Sequence, residues 1–174
     1  MGQGVVLAMA PAPEPDLLLL DEPTTALDVV VQREILQQVE DLQRELGFAV
    51  LFITHDLSLL FEFAHRVAIM YAGEIVERAP AHALFRDPKH PYTVGLMSSF
   101  PPLAGPLTRI AGIPGSPPNL ANPPTGCRFN PRCPHCDGHD GALFVRQTSE
   151  RPRLREAAAG RSIRWRRPSA DRGR

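Results

Sequence analysis

Lysine is almost missing from this chain: Lys89 is the only one in 174 residues, and every other fixed positive charge is an arginine. Lys89 follows Pro88, so these residues contain no glycine-rich phosphate loop ending in Gly-Lys-Ser/Thr. Aromatic residues are scarce at 6%, with one tryptophan and two tyrosines. Long apolar runs are missing too. None exceeds six residues, the length of Phe48 to Ile53, against the roughly 18–20 that a membrane-spanning helix needs. Met1 to Ala10 is apolar and ends Ala-Met-Ala, but it lacks the basic start of a secretory signal. Met1-Gly2 invites N-myristoylation, yet Val6 stands where Ser or Thr is required. These absences point to a cytosolic chain. The three cysteines, Cys127, Cys133 and Cys136, form one cluster, which suits metal binding better than a secreted disulfide framework.

What is present is ordinary for a globular protein: 43% hydrophobic and 22% charged residues. The formal net charge of zero conceals an asymmetry. Residues 1–144 carry nine Lys+Arg against sixteen Asp+Glu, and residues 145–174 carry ten Arg against three acids. Proline divides the chain further, with four in residues 1–79, thirteen in residues 80–134 and two in the last forty. No internal repeat is present.

The first part has the periodicity of packed secondary structure. Leu17-Leu18-Leu19-Leu20 predicts a strand buried on both faces. From Asp28, apolar residues at Val31, Ile35, Val39, Leu42 and Leu46 follow helical spacing, with Asp28 as N-cap and Gly47 as stop. Phe48 to Ile53 predicts a second buried strand, Leu57 to Ala64 a short helix and Val67 to Tyr71 a third strand. Ala72-Gly73 is a turn signal, after which Glu74 to Glu77 completes a hairpin. Tyr92 to Ser99 suits a helix opened by Pro91. Alternating strands and helices imply an α/β fold with a parallel sheet, whose ligands bind beyond the carboxyl ends of the strands. The polar residues gather there: Asp21-Glu22 after one strand, Thr54-His55-Asp56 after the next.

Adjacent carboxylates at a strand end suit nucleotide hydrolysis, where one holds Mg²⁺ and the other polarises a water. A bare Asp-Glu pair is more often a helix cap. The full string Leu17-Leu-Leu-Leu-Asp-Glu-Pro-Thr-Thr-Ala-Leu-Asp28 is far more specific. It resembles the Walker B motif and D-loop of ATP-binding-cassette (ABC) transporter ATPases, and Phe52-Ile-Thr-His-Asp56 resembles their H-loop. Downstream, Val67 to Glu77, Phe85 and His90-Pro-Tyr-Thr93 resemble the oligopeptide/dipeptide/nickel importer subfamily. Cys127-Arg-Phe-Asn-Pro-Arg-Cys133 matches the Cys-Arg-Phe-x-Pro-Arg-Cys motif of that subfamily's C-terminal extension.

The resemblance implies ATP and Mg²⁺ as ligands, with Asp21 associated with Mg²⁺, Glu22 as catalytic base, His55 on the γ-phosphate and Asp28 as the D-loop aspartate. It implies the C-terminal part of a P-loop ABC nucleotide-binding domain in residues 1–79. A proline-rich, irregular extension would follow in residues 80–145, then an arginine-rich, disordered tail in residues 146–174. Partners would be a second ATP-binding subunit, transmembrane permease subunits and, indirectly, a solute-binding protein, with the assembly on the cytoplasmic face of the membrane. The tail has little aromatic interleaving beyond Phe144 and Trp165, so no specific nucleic-acid partner is expected. The Leu-Ser-Gly-Gly signature is absent along with the phosphate loop. The expected role is therefore a partial form of a peptide-importer ATPase, with a non-catalytic or regulatory remnant as the alternative. A chromosome-maintenance ATPase shares the carboxylate pair but not the His55 and His90-Pro-Tyr-Thr93 strings.

The extension in related importers carries four cysteines and can hold an iron–sulfur cluster. Here Cys136 comes early and Arg164-Trp165 stands near the fourth position. Any metal at Cys127, Cys133 and Cys136 is then expected to be zinc, with His135 or His139 as the fourth ligand, rather than a four-iron cluster.

Overall fold

The computed structural model describes residues 15–23, 27–99, 112–135 and 152–164. The chain forms two compact units, Met1–Ala64 and His65–Arg174.

In the first unit, β1 (Leu17–Asp21) and β2 (Ala49–Ile53) pair in parallel, Leu17 opposite Ala49 through Asp21 opposite Ile53. They are joined by α1 (Val29–Leu46) and followed by α2 (Leu57–Phe63). Helix α1 begins and ends where the sequence places it. The Asp28 carboxylate accepts from the Val30 and Val31 amides at 3.1 and 3.0 Å, and Gly47 closes the helix at φ 77°. Leu18, Leu20 and Phe48 form a small core against Val39, Leu42, Val50 and Phe52. Burial on both sheet faces is not what the structure shows. Leu17, Leu19, Leu51 and Ile53 stay 45–59% exposed, on the face opposite the one where Leu18, Leu20 and Phe48 pack with Val39 and Leu42 of α1.

The second unit spans His65–Arg174. Strands β3 (Arg66–Tyr71) and β4 (Glu74–Pro80) form the expected hairpin, with Ala72 and Gly73 at positive φ in the turn. Instead of extending a parallel sheet, this hairpin belongs to a four-stranded antiparallel sheet ordered β3-β4-β6-β5. Its other two strands, β5 (Arg155–Ala158) and β6 (Arg161–Ile163), come from the arginine-rich stretch expected to be disordered. The reason is chemical: arginines that look solvated in sequence find buried carboxylate and backbone acceptors on β4, as described below. The remainder of that stretch, residues 146–151 and 165–174, lies outside the described residues.

The proline-rich segment is also more regular than expected at its start. It forms α3 (Ala81–Arg86) and α4 (Pro91–Ser98), with Pro91 in the first helical turn. Residues 112–135 are irregular apart from a 3₁₀ turn at Asn130–Arg132. Val67, Ile69, Tyr71, Val76, Ala79, Leu84 and Phe129 form the core of this unit.

Gly95 sits inside α4, where alanine would normally stabilise a helix by about 0.5–1 kcal/mol. Here a Cβ would lie 2.8 Å from Ile113 Cγ1. We expect Gly95→Ala to destabilise the chain by about 1–3 kcal/mol in urea unfolding, because overpacking outweighs propensity. The loss should shrink in an Ile113→Ala background, which removes the obstructing carbon. Additive losses would show that the steric contact is not the cause.

Candidate functional site

The parallel register sets the first site. Asp21 is paired with Ile53 at the carboxyl ends of β1 and β2, so the residues that follow each strand emerge side by side. The Glu22 amide donates to the Ile53 carbonyl at 2.9 Å, extending the ladder by one bond. Glu22 itself adopts φ 46°, an uncommon conformation for a side-chain-bearing residue. His55 Nδ1 lies 2.9 and 3.0 Å from the two Glu22 carboxylate oxygens, across 33 residues of sequence. The His55 ring is 82% exposed and the Glu22 side chain 37%, so the pair opens to solvent. The His55 pKa is raised by its hydrogen bond to Glu22, then by the Glu22 charge; desolvation opposes, and Asp56 adds a smaller push.

Around the pair, Asp21 ends β1 exposed to solvent. The Thr54 hydroxyl accepts from the Asp56 amide at 3.1 Å, and Asp56 caps α2 by accepting from Ser58 at 2.8 Å. Asp21 and Glu22 supply oxygen donors of the kind Mg²⁺ prefers. Asp28 is engaged as the α1 cap. Of the four residues singled out by motif, three are gathered at the strand ends: Asp21, Glu22 and His55. Thr24 to Ala26, between the carboxylates and Asp28, lie outside the described residues.

The cysteine region has a different character. Cys127 and Cys133 are buried at either end of the 3₁₀ turn, where the Asn130 amide donates to Cys127 and the Cys133 amide to Asn130. Burial pushes the Cys127 thiol pKa up and the neighbouring Cys133 adds to the rise, while backbone hydrogen bonds from Phe129 and Asn130 oppose it. Among the described residues no group of three His, Cys, Asp or Glu is arranged to hold a metal ion. The expected zinc or iron–sulfur site finds no support there; Cys136 and His139 lie outside the described residues.

What the Cys-Arg-Phe-Asn-Pro-Arg-Cys string does in the structure is hold the unit together. Arg128 donates to the Ala72 carbonyl in the β3–β4 turn and lies 3.5 Å from Glu74. Phe129, 2% exposed, packs edge-on to Tyr71 at 5.1 Å and against Tyr92 and His90. Arg132 donates to the Pro114 and Ile113 carbonyls at 2.8 and 3.0 Å and lies over the Tyr71 ring. His90 caps α4, its Nδ1 accepting from the Tyr92 amide at 3.1 Å. Burial lowers its pKa to about 4 against the opposing pull of Glu77 and the Arg164 backbone.

Sequence reading missed Glu77. It is fully buried, and its carboxylate accepts from the Lys89 and His90 amides and from Arg161 at 2.6 Å. Nothing local signals this, since the arginine is 84 residues away.

Comparison with known proteins covers both regions. Residues 76–139 match the oligopeptide/dipeptide transporter C-terminal region, and residues 4–61 match the model described as AAA domain, putative AbiEii toxin, Type IV TA system. The dipeptide transport ATP-binding protein DppD of Escherichia coli K12 is 43% identical over 174 residues, all of this chain and 51% of the relative. DppD of Lactococcus lactis is 48% identical over 132 residues, 76% of this chain and 38% of the relative. The oligopeptide transport ATP-binding protein OppD of Bacillus subtilis is 51% identical over 130 residues, 74% of this chain and 36% of the relative. The chain thus spans about half the length, or less, of the curated relatives it matches.

The Glu22–His55 pair has a direct solution test. Replacing Glu22 by Gln removes the charge that favours imidazolium and leaves only a neutral amide acceptor, so the His55 titration midpoint should fall toward the ordinary value of about 6.5. Because the folded value is the raised one, the pair stabilises the fold below the ordinary value. That stabilisation disappears as pH rises through the folded midpoint. Imidazole proton shifts followed by NMR against pH would read the change. An unmoved midpoint in Glu22→Gln would show that the two side chains are not paired in solution.

Proposed function

We propose, on the premise that the chain corresponds to the C-terminal part of an ABC-type ATP-binding subunit of the oligopeptide/dipeptide importers, that it supplies the hydrolytic side of an ATP site. The observation that carries this reading is the 2.9 Å contact between Glu22 and His55 at the ends of two adjacent parallel strands.

A carboxylate fixed at a strand end and open to solvent can receive a proton from an attacking water. In this reading Glu22 is that base. Its positive-φ backbone and the bond from its amide to Ile53 hold the side chain beyond the sheet. His55 orients the Glu22 carboxylate through Nδ1, leaving Nε2 to donate toward the terminal phosphate. Asp21 would hold Mg²⁺, which when bound offsets phosphate charge. Asp28, as cap of α1, keeps the segment after the carboxylates anchored to the helix. Cys127 and Cys133 act in this reading as packing residues beneath the 3₁₀ turn, without a metal.

These 174 residues contain no Gly-Lys-Ser/Thr loop, so the backbone cradle and lysine for the β- and γ-phosphates must come from outside them. Hydrolysis in the assembled subunit would drive uptake of peptides or similar small solutes. Its partners are a second ATP-binding subunit and membrane permeases at the cytoplasmic face, with a solute-binding protein acting indirectly. No helix among the described residues is long and apolar enough to cross a membrane, which fits a subunit docking on separate permeases.

The chain by itself should release phosphate from Mg²⁺-ATP at background rate. Fused behind the P-loop-bearing portion of a close relative, it should hydrolyse ATP measurably. In that fusion Glu22→Gln and His55→Ala should each lower kcat by about 10²-fold or more while ATP binding persists. Near-parental rates in both variants would remove the assigned roles. A fusion that binds ATP yet never hydrolyses it would favour the non-catalytic remnant.

A further inference from the structure

The β5–β6 hairpin is attached in an unusual way for a pair of sheet strands. All four residues of β5 are exposed, and in β6 only Arg161 is buried. The hairpin therefore contributes little to the apolar core, and its attachment is polar. Two residue pairs, Glu77–Ile163 and Arg78–Ser162, join β6 to β4. The Arg164 amide donates to Val76 at 2.8 Å and its Nε to Ile75 at 3.1 Å. Arg66 donates to the Gly160 carbonyl at 2.8 Å, holding the hairpin's tip.

The central contact is Arg161. Its Nη2 donates to Glu77 Oε1 at 2.6 Å and to the Asp87 backbone carbonyl, and its Nη1 lies 3.8 Å from the Asp87 carboxylate. The same Glu77 carboxylate accepts from the Lys89 amide at 3.1 and 3.2 Å and from the His90 amide at 2.8 Å. One buried carboxylate thus organises the turn at residues 87–90, the entry to α4, and one buried guanidinium neutralises that carboxylate from the hairpin. Removing one partner of such a pair leaves an uncompensated buried charge, which is far less stable than the pair. Elements held by few apolar contacts are those that open locally.

We propose that residues 152–164 form a strap, latched by Arg161, whose docking orders the 87–90 turn and the start of α4 by neutralising the buried Glu77 carboxylate that holds them. Glu77 and the turn lie within residues 76–139, the region matched to the transporter C-terminal region, and the strap lies beyond its end. The order of the entry to α4 in that region is then set by residues outside it. When the strap lifts, Glu77 must draw water toward the His90 turn, and the turn loosens with it.

Hydrogen exchange followed by mass spectrometry on the full chain tests the coupling. Arg161→Met should raise exchange by at least about tenfold both in peptides covering residues 155–163 and in those covering residues 87–93. Helix Val29–Leu46 should be unchanged. Arg161→Lys, which keeps the charge but not the fork, should fall between the two. If Arg161→Met fails to fold, the double variant Glu77→Gln, Arg161→Gln removes both charges and leaves an amide carbonyl at position 77 to accept from the His90 turn. It should restore protection at residues 87–93 while the strap stays labile. Faster exchange confined to the strap in Arg161→Met, or a double variant no better protected at the turn than the single one, would overturn the proposal.

Discussion

Everything proposed for this chain's chemistry depends on one constraint, the in-register parallel pairing of β1 with β2. Five consecutive residue pairs run from Leu17–Ala49 to Asp21–Ile53, so both strands end at the same level. Because successive side chains alternate faces, slipping the pairing by one residue would turn the inward leucines outward. It would also carry Glu22 away from His55. The small core of Leu18, Leu20 and Phe48 beneath α1 resists such a slip. The core thus does more than stabilise: it sets the height at which a carboxylate and an imidazole, far apart in sequence, come within hydrogen-bond reach. The bond from the Glu22 amide to Ile53 then fixes the backbone just past the strand, where an unusual φ aims the side chain.

The second unit is organised by an opposite kind of constraint, a charge without solvent. Glu77 is fully buried, and a buried carboxylate requires donors on its available lone pairs. Two backbone amides and one guanidinium meet that need, and each belongs to a different piece of chain from β4 itself. Arginine performs similar work at Arg128, Arg132 and Arg164, each donating to backbone carbonyls. Segments rich in proline lack amide donors for regular ladders, so planar side chains with five donors are well suited to holding them. A chain with a single lysine and many arginines is consistent with that demand.

The cysteine string illustrates how one motif supports two readings. As spacing, Cys127, Cys133 and Cys136 suit a metal. In the folded chain the first two are buried beside a 3₁₀ turn, with the Cys127 thiol disfavoured as thiolate. The residues between them, Arg128, Phe129 and Arg132, make the contacts that join the β3–β4 turn, α4 and residues 113–114. The string's interior is thus as consequential for the fold as its ends.

Sequence alone determined the elements whose causes are local. Apolar spacing and caps defined α1 from Asp28 to Gly47, Ala72-Gly73 marked the hairpin, and Pro91 opened α4. It also pointed to Asp21, Glu22 and His55 as a set, through the resemblance of the strings that follow two apolar runs to the Walker B motif and H-loop of ABC ATPases. Tertiary structure decided what depends on distant partners. It left one face of the β1–β2 sheet exposed, moved β3 and β4 into an antiparallel unit with the tail, and converted an apparently solvated arginine stretch into strands. Arg161 and Glu77 are 84 residues apart. A lone arginine in a basic tail and a lone glutamate in a strand carry no sign of each other, since burial and pairing are properties of the folded surroundings and not of either residue.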